Sequence, residues 1–111
     1  MVKAKDIIKI KKEHEKYKKL LESEVDLIKR LKYGRIFREY EDKMMDIEIQ
    51  LLNIEFGLYK NAELHKNIFR DKYINKIPVE ILVDKYRVSR TTIYRISNKA
   101  KELFESNKWR I

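Results

Sequence analysis

The side chains with the clearest chemical use lie between Val79 and Ile96, in the run V-E-I-L-V-D-K-Y-R-V-S-R-T-T-I-Y-R-I. The apolar spacing predicts a short helix from Pro78 to about Tyr86, a turn at Arg87-Val88, and a second helix from Arg90 to about Ser106. Ser89 is a good N-cap for that second helix. Leu82, Val83 and Tyr86 then face inward from the first helix, Val88 plugs the turn, and Ile93 and Ile96 face inward from the second. This leaves Arg90, Thr91, Tyr94, Arg95 and Asn98 on the outer face. Such side chains suit the base edges of double-stranded DNA, where Arg forks onto guanine, Asn pairs with adenine, and Thr and Tyr reach a thymine methyl or a phosphate. Ser89, Thr92, Arg87, Lys72, Lys76 and Lys99 are the candidate phosphate contacts. The N–H groups at the start of the second helix add to them.

Other chemistry is poorly provided for. The 111 residues contain no Cys, two His and two Gly. That excludes a disulfide framework, a thiolate nucleophile, Cys-based metal sites and a glycine-rich phosphate loop. His14 and His65 are too far apart in sequence to suggest a His cluster, and Glu63-Leu64-His65 has the wrong spacing for one helix face. Ser23, Ser97 and Ser106 stand in no catalytic-looking context. No metal, cofactor or enzymatic activity is expected.

The net charge of +9 points to a polyanionic partner, and it is unevenly spread. Residues 1–33 hold 11 basic and 6 acidic side chains, residues 34–62 hold 4 and 6, and residues 63–111 hold 12 and 6. The basic excess therefore sits at the two ends. No apolar run approaches the roughly 20 residues a membrane span needs, and no signal peptide is evident, so a cytoplasmic protein with no membrane partner is expected. The Lys-rich stretch Lys9 to Lys19 reads as the wet side of a helix rather than a second DNA site.

Positioning these residues requires helices, and the scarcity of Gly and Pro predicts them throughout. Ile7, Ile10, His14, Tyr17, Leu21, Glu24, Ile28 and Leu31 form a heptad register with two polar intruders, ending at Tyr33-Gly34. Phe37, Tyr40, Met44, Ile47, Leu51, Ile54 and Leu58 form a second, unbroken seam, whose end is marked by Gly57 and then Asn61. The seam has two uses: burial within the chain, or an oligomer interface. A lone pair of DNA-reading helices binds weakly, which favours self-association, with a dimer preferred. Ala62 to Asn75 forms a third helix with Leu64, Ile68, Phe69 and Tyr73 on one face. Trp109, in the tail, either covers the core or offers an anchor to a partner.

The run Val88 to Arg95 resembles the turn and recognition helix of bacterial helix-turn-helix proteins. It is similar to sigma-factor region four and to the C-terminal reader of resolvase/invertase recombinases. Leu64, Ile68, Phe69 and Tyr73 match the preceding helix of sigma region four. A small Lys-rich chain with long helices before such a module resembles phage late-gene transcriptional regulators of the RinA/ArpU type. The resemblance implies contact with RNA polymerase as well as DNA. The chain departs from the pattern twice. Val83 stands where a small residue is usual and should push the two helices slightly apart. Arg87 stands where Gly is usual, and a left-handed backbone there costs about 1 kcal/mol.

The expectation is an all-α chain, with a helical hairpin or coiled coil over residues 1–60 and a helix-turn-helix module over 61–111. Its expected function is sequence-specific DNA binding in transcriptional regulation of phage or prophage type. The rivals are a phage small terminase subunit and an RNA-polymerase-binding interaction module.

Overall fold

In the computed structural model, which describes residues 1–106, the chain is all-α. A 3-10 turn at Ala4–Asp6 leads into α1, Ile7–Ser23, and then α2, Leu27–Phe56. Three shorter helices follow: α3, Ala62–Phe69; α4, Val79–Tyr86; and α5, Arg90–Phe104. Among the described residues, no helix is long and apolar enough to cross a membrane.

Helices α1 and α2 pack antiparallel as a hairpin. The His14 ring stacks on Phe37 at 4.9 Å, and Tyr17 stacks on Tyr40 at 6.0 Å. His14 Nε2 also lies 2.5 Å from Glu41 Oε1, which gives this polar heptad residue a partner.

The hairpin turn is not at Gly34. Gly34 lies inside α2, and the chain breaks at residues 24–26 instead. Glu24 takes an extended backbone, and its carboxylate accepts from the Asp26 N–H at 3.0 Å. Asp26 caps α2 by accepting from the Lys29 N–H at 3.1 Å. An Asp cap stabilises a helix by about 1 kcal/mol. Glycine permits a break without enforcing one, and it is tolerated where the neighbouring helix packs over it. The first heptad register therefore ends at Leu21, and Ile28 and Leu31 are exposed residues of α2.

Gly57 does end α2, for a steric reason. Its φ of −84° is open to any residue, but a Cβ there would lie 3.0 Å from the Asn53 carbonyl and 3.2 Å from Leu103 Cδ1. Glycine lets α5 pass close to the end of α2.

The seam of α2 is buried within the chain. Ile47, Leu51 and Ile54 enter one core with Val2, Ile7, Ile10, Phe69, Ala100 and Phe104. Tyr40, Met44 and Leu58 pack at its margin, while Phe37 is taken by His14. Ile47, Leu51 and Ile54 are thus spent within the chain, while Phe37, Tyr40, Met44 and Leu58 are half-buried. The core also crosses the expected boundary near residue 60, because α2 contributes to the same cluster as α3 and α5.

Gln50 ties the ends of the chain to this core. Fully buried, it accepts from the Val2 N–H at 2.8 Å and donates to the Val2 and Phe104 carbonyls at 2.9 and 3.0 Å. One amide thus satisfies three backbone groups that burial would otherwise leave without partners.

Helix α3 is shorter than its apolar pattern suggests. From Arg70 to Ile74 the backbone widens into a π-helical turn, with the Asn75 N–H donating to the Arg70 carbonyl at 2.9 Å. A second cluster of Ile68, Leu82, Ile93 and Ile96 holds α3, α4 and α5 together.

Candidate nucleic-acid interface

Helices α4 and α5 are joined by a three-residue connection, Arg87, Val88 and Ser89. Arg87 has φ 54° and ψ 44°, in the left-handed region. Val88 packs into the second cluster, as do Val83 and Tyr86. Val83 is half-buried there.

Ser89 caps α5. Its Oγ accepts from the Thr92 N–H at 3.1 Å, and the two hydroxyls lie 2.9 Å apart. The Thr92 N–H is thus spent on the cap. Ser89 itself remains exposed, and Thr92 is half-buried.

The outer face of α5 carries Arg90, Thr91, Tyr94, Arg95 and Asn98, all exposed. Their spacing places them on one side of the helix. Arg90 is held by two neighbours. It forms an ion pair with the Glu80 carboxylate of α4 at 3.0 Å and donates to the Tyr94 hydroxyl at 3.5 Å. The bond to Tyr94 and the nearby charges raise the Arg90 pKa further above its ordinary value. The Glu80 pair is exposed on both sides, so an incoming anion displaces it at little expense.

The phosphate candidates fall into two groups. Arg87, Lys76 and Lys99 are exposed, and Lys99 lies 3.8 Å from Glu102 within α5. Lys72 is different. Its Nζ donates to Ser97 Oγ at 3.2 Å and sits 4.9 Å from the Tyr94 ring centroid. Burial pushes its ammonium pKa below the ordinary lysine value, with the charge of Lys101 adding to the effect. Lys72 therefore braces the outer face of α5 from the π-helical turn.

Asp71 is the main residue that sequence reasoning missed. It is buried and accepts from Lys85 Nζ at 2.7 Å, from the Tyr86 hydroxyl at 2.5 Å and from Asn75 at 3.5 Å. Burial alone would raise this carboxyl, but the bonds from Lys85, Tyr86 and Asn75 and the Lys85 charge outweigh it and hold the group below its usual range. Burial and the bond to Asp71 push the Tyr86 phenol up. One carboxylate thereby fixes α4 to the end of α3. His65, also buried, donates from Nδ1 to the Asn61 carbonyl at 2.8 Å, so its role is local.

The Lys-rich stretch of α1 is solvent-facing, with Lys9, Lys11, Lys12, Lys16, Lys18 and Lys19 all exposed. Trp109 lies outside the described residues. Comparison of the chain with protein-family models, with curated proteins and with solved structures finds no match in any of the three.

Proposed function

We propose that this chain is a sequence-specific DNA-binding protein in which α4 and α5 act as a helix-turn-helix and α5 enters the major groove. One observation carries the reading. The helix that follows a tight left-handed turn presents Arg90, Thr91, Tyr94, Arg95 and Asn98 together on an exposed face. Those types match the donor and acceptor pattern of base edges. Arg87, Lys72, Lys76 and Lys99 are the phosphate contacts of this reading, with the exposed Ser89 beside them. Thr92 contributes through the cap that sets the start of α5.

A role in transcriptional regulation of phage or prophage type follows from the resemblance to sigma region four and to late-gene regulators, as does contact with RNA polymerase. Titration of labelled duplex DNA at two salt concentrations tests the binding reading. Affinity should fall steeply with salt, by a slope of about −0.9 per phosphate contact. The combined Arg90→Ala and Arg95→Ala variant should bind at least about tenfold more weakly. Absence of salt-sensitive affinity contradicts the proposal.

A further inference from the structure

Helix α2 has a second heptad stripe, on the side turned away from the core. It opens with Ile28 and Leu31 and closes with Met45, Ile49 and Leu52, all exposed. Leu31 and Met45 keep 68% and 60% of their surface in solvent. Between the apolar ends lie Arg35, Arg38 and Asp42, also exposed. Among the described residues, none of the three forms an ion pair within the chain. The helix is also strongly divided in charge. Residues 27–38 carry five basic and no acidic side chains, and residues 39–56 carry one basic and six acidic.

We propose that this outward face of α2 pairs with the same face of a second copy, antiparallel about a two-fold axis, with Arg38 of each copy meeting Asp42 of the other. Antiparallel coiled coils bring each first apolar position against a second one. In this register Ile28 meets Leu52, Leu31 meets Ile49, and the stem of Arg35 lies along Met45. The basic half of each α2 then runs beside the acidic half of the other. A two-fold interface of this kind is closed, because the same patch serves both copies.

The charges select the register. A shift of one heptad in one direction sets Arg35 against Arg38 and Leu31 against Asp42. A shift in the other direction sets Arg38 against Ile49. Parallel pairing stacks Arg on Arg and Asp on Asp. Only the proposed register matches apolar to apolar and Arg to Asp at once. It also leaves the core-facing seam of α2 undisturbed. The proposal does not rest on DNA binding and is tested without DNA.

The test is the mass of the full chain by size exclusion with light scattering, from micromolar to hundred-micromolar concentration. A dimer is expected. Arg38→Asp and Asp42→Arg, made singly, each place like charges together twice and should weaken association by about tenfold or more. The two combined restore the pairing and should return association to within about threefold of the parent. Both sites are exposed, so the thermal midpoint at a concentration too low for association should hold, and rescue by the double variant excludes a folding defect. A monomer at every concentration overturns the proposal, and that result also covers a face that serves a different partner. A dimer indifferent to either single variant overturns it equally.

Discussion

The ammonium of Lys72 lies 4.9 Å from the centre of the Tyr94 ring and donates to Ser97 one turn further along α5. A lysine from the π-helical turn after α3 thus supports the exposed face of α5. Lys72→Met keeps the packing against Tyr94 and removes the charge. Stability should stay within about 0.5 kcal/mol of the parent. The salt dependence of DNA binding should fall by about one phosphate contact. Thermal melts and salt titrations check the two halves separately.

Arg87 holds a left-handed backbone that a side chain makes unfavourable. Arg87→Gly should raise stability by about 1 kcal/mol, or about 4 °C in the thermal midpoint. Under the proposed function the same change removes a phosphate contact, so DNA affinity should drop while stability rises. Opposite signs from one substitution separate the backbone of Arg87 from its charge.

The Asp71 carboxylate ionises more readily in the folded chain than in the unfolded one. Its stabilising contribution is therefore complete above the unfolded value of about 3.9 and is lost as pH falls through the lower folded value. Asp71→Asn should cost about 1–3 kcal/mol at neutral pH. It should also flatten the loss of stability on acidification. Denaturant melts at neutral pH and near pH 3 read both effects.

Much of the module was legible in the sequence because its signals are local. Ser89 stands directly before a helical pattern, and Arg87 stands where the turn needs a positive φ. Asp71 was not legible. Its partners Lys85 and Tyr86 belong to another helix, and no periodicity links them to it. The hairpin turn was hidden for a different reason. Leu21, Ile28 and Leu31 continue one heptad register straight through the break, while the Asp26 cap signal lies inside that apparent helix. Gln50 reads as an ordinary polar residue until Val2 and Phe104 are brought beside it.

Gln50→Leu tests that last arrangement. It preserves approximate volume but leaves the Val2 N–H and the Val2 and Phe104 carbonyls without their buried partner. A loss of about 2–4 kcal/mol is expected. Faster hydrogen exchange at Val2 should accompany it.

The proposed function requires that α5 reads DNA sequence through its outer face. The most direct measurement is sequencing of duplex fragments captured from a genomic pool by the full chain, beside the Arg90→Ala and Arg95→Ala double variant at matched thermal stability. Sharp enrichment of a small set of sites by the parent chain is expected, with its loss in the variant. Equal enrichment by both proteins, or none by the parent, contradicts it.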